Sequence, residues 1–401
     1  ETATDEQKGY IAAAKAFRAL AYLDLGRMYE YLPTDVTKGV NADGNDVTGL
    51  TVPIVKEGMA EADARNNPRV KKEDLIKFIK EDLEYAEQNI GKLTKTEKTL
   101  PHLDCVYGLE ARLYMWEGDY AKAQAAAENA IKTSSVQPMT QAQCLNTTTG
   151  FNNLADFMWG SQQTSEDVVV STGIVNWISF MCNEQTFGYC GAGTGDYIRI
   201  DTLAYNRLND TDFRKLEWVA PAGSPIANKV SFVNKTYGAS MPPMASVKFR
   251  PNQGEMDAPS VAAATAFPVM RVEEMYYIRM EAAAQQDAAK GKELLELFMK
   301  TRDPKYTCKA TSKEDIIKEI YFQKSIDLWG EGITFFDMKR LNYSLTRGYH
   351  GTNHSVGARI NTNGRPATTN FLFYRTEAEN NTALKGWNNP DPSGKYPLWT
   401  E

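Results

Sequence analysis

Apolar residues recur at spacings of three and four from residue 5 to 32, as Tyr10, Ala14, Phe17, Ala21, Leu25, Met28 and Leu32. That spacing predicts a helix with these residues on one face. Thr4 or Asp5 can cap its start, and Pro33 ends it. Residues 71–90 predict a second helix, with Leu75, Ile79, Leu83, Ala86 and Ile90 on one side. Its other side carries Lys and Glu at helical spacing, the pattern of a solvated face. Between the two lies an irregular stretch with the turn cluster "NADGNDVTG".

Residues 102–132, containing "YGLEARLYMWEGDYAKAQAAAENAI", match the helix-turn-helix pattern of a tetratricopeptide repeat. Ala111 and Tyr114 fall on its first helix, Gly118-Asp119-Tyr120 makes the turn, and Ala123 and Ala130 fall on the second. Small residues suit close helix contact. One repeat cannot bury its own apolar face, so the earlier helices should stack beside it. Trp116 belongs to that packing.

From 133 to 265 helical periodicity disappears, and Asn, Thr, Gly and Pro become dense. Short strands are expected there, one at Val168–Val170 and another around Trp159. Helices return at 269–287, 290–300 and 313–342, and residues 343–401 are again loop-rich. The last helical stretch includes "WGEGITFFDMKRLN", with Gly330 and Gly332 in what reads as helix interior. Each would cost about 1 kcal/mol relative to Ala there. The expected fold is mainly α: a tetratricopeptide-like scaffold with a long loop-rich insertion and a few short strands. We read 1–401 as one domain, with the scaffold at 1–132 and 267–342 and loop-rich regions at 133–266 and 343–401.

Composition narrows the function. Apolar residues make up 42% of the chain, enough for a substantial core. The net charge of −6 argues against nucleic acid or an anionic membrane as the main partner. No apolar run is long enough to span a bilayer. The opening "ETATDEQKGY" lacks the basic start and apolar stretch of a signal peptide. The five cysteines form no C-x-x-C. Cys182 and Cys190 could pair across a loop, or all five could be buried thiols.

Candidate chemistry is sparse. His350 and His354 lie in a Gly- and Asn-rich stretch that does not suit shared metal ligation, and no G-x-S-x-G accompanies any histidine. "NADGNDV" fails the EF-hand pattern, with Asp46 and Val52 at positions needing Gly and Glu, although a looser calcium site stays open. "GAGTGD" ends on Asp196 and is no dinucleotide fingerprint. We therefore expect no metal and no cofactor. Aromatic residues stand out instead: Trp177, Phe180, Phe187, Tyr189 and Tyr197 share one stretch with Asn176, Asn183, Glu184 and Gln185. Flat rings with amide groups suit a sugar, which has an apolar C–H face and a hydroxyl edge. The candidate stacking residues are Trp177, Tyr189 and Tyr197, with Asn183 and Gln185 as polar contacts. The alternative is a small core beneath a long loop.

Five stretches in order resemble the SusD/RagB family of glycan-binding outer-membrane lipoproteins. They are "AAAKAFRALAYLDLGRMYEYLP" (12–33), "IDTLAYNRLNDTDFRK" (200–215), "FPVMRVEEMYYIRMEAAAQ" (267–285), "WGEGITFFDMKRLN" (329–342) and "NFLFYRTEAENNTAL" (370–384). The resemblance implies a non-enzymatic protein that captures an oligosaccharide or other nutrient at the cell surface. It would hand the ligand to a SusC-like TonB-dependent transporter. It implies an outer-membrane location through a lipid anchor that this stretch of chain does not include, and a front segment before the first helix. It also implies that Glu331 and Asp337 meet basic side chains, Arg340 or Arg279, within the helical packing. Gln323-Lys324 and Thr334 depart from the family's charged pattern, so that network should be rearranged. Two other readings stay open: a repeat scaffold binding a protein or peptide, and a glycoside hydrolase using an acid pair.

Overall fold

The computed structural model describes residues 3–401. It is mainly helical, with longer helices at Asp5–Tyr29, Lys72–Asn89, Leu103–Glu117, Tyr120–Thr133, Val272–Gln286, Ala288–Met299 and Lys313–Asp327, and a shorter one at Thr334–Arg340. Contacts group the chain into two compact units, one holding the chain to Thr94 with 112–119 and 333–401, the other holding 95–111 and 120–332.

In the first unit, Thr4 and Gln7 form a capping box that satisfies free N–H groups at the start of the first helix. The buried face of this helix is not the expected one. Ala12, Ala16, Ala19, Leu23 and Gly26 are inside, whereas Tyr10, Phe17 and Leu25 are each about two-fifths exposed. Close packing explains the difference. A Cβ at Gly26 would sit 2.7 Å from both Leu75 and Trp116, and one at Gly9 would sit 2.5 Å from the backbone of Leu93. Two chains that approach this closely require small residues between them. The second helix behaves as its pattern predicts, with Leu75, Ile79, Leu83 and Ala86 buried. Buried Asp82 receives Lys15 at 2.9 Å and Arg18 at 2.6 Å, and Trp116 Nε1 donates to Glu30 Oε2 at 2.7 Å.

In the second unit, the Val272–Gln286 helix packs on Tyr120–Thr133, on Ala288–Met299 and on Lys313–Asp327. Ala123, Ala127 and Ala130 are fully buried, as the repeat pattern requires. Strands Trp159–Gln162 and Ala266–Met270 pair antiparallel, with Gly160 opposite Pro268 and Gln162 opposite Ala266. The expected strand at Val168–Val170 is instead the start of a short helix, Val168–Ser171. β-branched residues favour strands only where a neighbouring strand offers packing.

The long helix expected at 313–342 is also broken. It ends at Asp327 and helix resumes at Thr334. Gly330 and Gly332 have φ of 79° and 76°, a left-handed conformation that glycine adopts without steric cost. Gly330 also faces Phe249, which a Cβ would approach to 2.6 Å.

Glu331 and Asp337 do meet cations, with one substitution of partner. Asp337 pairs with Arg340 at 2.6 Å, within the first unit. In the second unit Glu331 receives Lys248 at 2.8 Å and Arg271 at 2.9 Å, rather than Arg279. Arg271 also holds Glu273 at 2.7 Å, and Asp327 accepts from Arg302 at 3.0 Å and from Tyr277 at 3.0 Å. Lys248, Arg271, Glu273, Tyr277, Arg302 and Asp327 are buried, and the Glu331 side chain is only 3% exposed. Burial works against the Asp327 carboxylate, but Arg302, Arg214 and Arg271 outweigh it and hold its pKa below the usual range. A sealed, mutually paired network of this kind is scaffold, since removing one partner strands a buried charge.

Candidate functional site

The strand Trp159–Gln162 delivers the chain into the irregular segment 163–198, which belongs to the second unit. Two short helices, Val168–Ser171 and Trp177–Met181, are joined by Asn176. Its side chain accepts from Ser179 N at 2.8 Å and donates to Val169 O at 3.0 Å. The chain then doubles back. Gly188, at φ 79°, lies directly on Ser179, where a Cβ would come within 2.8 Å of the Ser179 Cα. This contact lets Tyr189 N donate to Ser179 O at 2.9 Å. The residues following Ser179 and Gly188 are thereby placed side by side. Phe180 and Tyr189 stack with ring centroids 4.8 Å apart and planes inclined by 16°. Both rings face solvent, 47% and 51% exposed. Val168, Ile174 and Val175 of the same segment are exposed as well.

The five candidates separate into surface and support. Tyr189 is on the surface, in the stacked pair. Tyr197 is partly buried, and its hydroxyl lies 3.4 Å from that of Tyr237. Trp177 is partly buried, stacked on Phe267 at 5.2 Å and edge-on to Phe249 at 5.5 Å, and it packs against a core cluster. Asn183 and Gln185 are wholly buried, so the expected polar contacts with ligand are corrected to internal ones. Asn183 donates to Ile198 O at 2.8 Å and Ser246 O at 2.9 Å, and accepts from Ile198 N at 2.9 Å. Gln185 donates to Ser179 O at 3.2 Å. In an irregular segment the backbone groups lack ladder partners, and buried amides supply them.

Phe180 belongs to the aromatic stretch but is not one of the candidate stacking residues. The signal that points to it is Gly188, whose missing side chain sets the register between the two rings. Glu184 is buried against Arg250; burial raises its pKa and the guanidinium opposes that rise. Cys182 and Cys190 are separate thiols, and all five cysteines are buried outside any disulfide. Cys190 Sγ donates to Cys182 O at 3.0 Å, and burial pushes its pKa up to about 12.

Two other features near candidate polar residues are held by internal hydrogen bonds and ion pairs. A cleft of about 290 Å³ in the second unit is lined by Arg207, Asp303, Tyr306, Glu319 and Phe322. Arg207 pairs with Glu319, which also accepts from Tyr306 at 2.8 Å. In "NADGNDV", Asn41 Oδ1 accepts from Asp43 N and Asn45 N, a turn rather than a cation cradle. Among the described residues no group of three or more His, Cys, Asp or Glu could hold a metal ion, and no helix is long and apolar enough to cross a membrane.

These features define a class: a tetratricopeptide-like helical protein with a loop-borne aromatic surface. The comparisons give its family. The SusD family model matches residues 192–392, and the chain belongs to that family. Phe180 and Tyr189 precede the matched residues. A SusD-like carbohydrate binding protein from Bacteroides vulgatus is similar over 98% of this chain and 80% of its own, at 18% identity and a TM-score of 0.72. A SusD superfamily protein from Bacteroides thetaiotaomicron has the same coverage and identity, with a TM-score of 0.69. Another from Bacteroides vulgatus covers 97% of this chain and 79% of its own, at 19% identity and a TM-score of 0.69. At these identities the likeness shows the fold. No curated protein matches the chain.

Proposed function

We propose that this protein is a non-catalytic, surface-exposed glycan-binding protein of the outer membrane, lipid-anchored in its full-length form. It captures oligosaccharide and passes it to a SusC-like TonB-dependent transporter. The observation that carries the reading is the exposed Phe180–Tyr189 pair. Aromatic rings left half in water, held in register by a glycine, offer an apolar face to the C–H side of a sugar. Membership of the SusD family supports the nutrient-binding role, as does a structural neighbour described as carbohydrate binding. The buried amides support the loop and leave the hydrogen bonds to ligand hydroxyls to exposed groups around the rings. Binding of this kind makes and breaks no covalent bond.

Affinity electrophoresis through gels containing neutral polysaccharides tests the proposal. Tyr189→Ala and Phe180→Ala should each reduce retardation at least tenfold with little change in melting temperature. Retardation that is unchanged in both variants removes the platform from the site. Incubation with the retained polysaccharide should release no new reducing ends; steady release would mean a hydrolase.

A further inference from the structure

The segment that carries the aromatic pair and the one that packs against it hold carboxylates and no cations. From Trp159 to Ile198 the chain contains Glu166, Asp167, Glu184 and Asp196, with no Lys, Arg or His. From Pro251 to Met270 it contains Glu255 and Asp257, again without a base. The fold joins the two stretches. Thr186 N donates to Met256 O at 3.0 Å and the Thr186 hydroxyl to Asp257 at 2.7 Å. Val170, Ile178, Cys182 and Ala263 share one apolar cluster.

Neutral donors hold three of these six carboxylates, Asp167, Glu255 and Asp257, which leaves their charge in place. Asp167 accepts from the Thr164 backbone and hydroxyl, and Glu255 from the backbone of Asp257 and Ala258. Asp196 is exposed. Among the described residues, Glu184 alone of the six is paired with a cation, the buried Arg250. Other cations enter the surroundings through Arg199, two residues beyond Tyr197, and Lys235, on the short helix whose Tyr237 hydroxyl donates to Asn183 O.

We infer that the Phe180–Tyr189 surface selects uncharged sugar units and rejects uronate-bearing or sulfated ones. The inference rests on the carbohydrate reading above. A one-signed set of surface charges repels a like-charged ligand, and the effect fades once salt shortens the screening length from roughly 8 Å to roughly 3 Å.

Matched polymers that differ only in charge test this. Hydroxyethyl cellulose against carboxymethyl cellulose, and galactan against polygalacturonate, are cast in affinity gels at low and high salt. The expected result is retardation by at least one neutral member and at least tenfold weaker retardation by its anionic counterpart. The gap should shrink at high salt and in the Asp196→Asn, Asp257→Asn double variant. Equal or tighter binding of the anionic polymer that Tyr189→Ala abolishes overturns the charge inference and leaves the platform standing. Retardation indifferent to Tyr189→Ala, or none by any neutral polymer, overturns both.

Discussion

Tyr189 lies flat against Phe180 because Gly188 lies flat against Ser179. The backbone contact comes first, with Tyr189 N hydrogen-bonded to Ser179 O, and the two side chains that follow are carried into register. Gly188 therefore has two reasons to be glycine: its φ of 79° and the absence of room for a Cβ. Gly188→Ala should cost about 1–2 kcal/mol from the left-handed backbone alone, and more from the overlap. Retention on neutral polysaccharide should fall together with proteolytic resistance of the 163–198 segment. Retention kept at wild-type strength would show that the rings need no such alignment.

Trp177 provides the contrast. Its ring suits stacking on a sugar, yet it stacks on Phe267 and packs against a core cluster. Trp177→Ala should lower stability by about 3 kcal/mol or more, the usual range for truncating a packed aromatic. Urea denaturation measures this. A stability change under 1 kcal/mol with lost glycan retention would return Trp177 to the binding surface.

The two glycines after the Lys313–Asp327 helix should not be equivalent. Gly332 has positive φ and open space around it, so Gly332→Ala should cost about 1 kcal/mol. Gly330 has the same backbone demand plus Phe249 and Met181 within 3 Å of a would-be Cβ. Gly330→Ala should be destabilising by at least twice as much. Equal effects would mean that the ring and the methionine yield freely.

Glu217 makes a prediction about pH. It is buried, one of its oxygens has no hydrogen-bond partner, and burial raises its pKa to about 7 despite Lys248 nearby. The folded protein thus holds a proton between pH 4.5 and 7 that the unfolded chain releases. Its contribution to stability is full below pH 4.5 and is lost as pH rises through 7. At 1.36 kcal/mol per unit the loss is roughly 3 kcal/mol. Glu217→Gln should flatten that part of the stability profile in chemical denaturation. A wild-type slope retained in the variant would assign the titration elsewhere.

Arg271 joins Glu331, Glu273 and Asp327 in a region sealed from water. Arg271→Ala leaves those acids partly unpaired and should cost about 3–5 kcal/mol, enough to reduce folded yield. Restoring shape without charge in Arg271→Met should not rescue it, because the stranded carboxylates remain. Full stability of the methionine variant, by thermal melting, would show that packing rather than charge is what the site requires.

Much of the scaffold was legible from spacing. The helix at 72–89 keeps Leu75, Ile79 and Leu83 inside, and the repeat at 103–133 buries Ala111, Ala123 and Ala130, as their periods dictate. Periodicity identifies stripes but does not say which stripe is covered. On the first helix it favoured Tyr10 and Phe17, and the structure buried Ala12, Ala16 and Ala19 instead, because the neighbouring helix comes too close for large residues. At Val168–Val170 local propensity pointed to a strand, and without an adjacent strand the valines took a helical turn.

The aromatic surface shows the same division. Sequence alone determined that rings and amides are concentrated between Trp177 and Tyr197, and that this stretch and its neighbour at 251–270 carry acids rather than bases. Only the tertiary structure decided which rings meet water. Exposure depends on contacts distant in the chain, such as Phe267 against Trp177 and Ser246 against Asn183, and local residue order does not encode those distances.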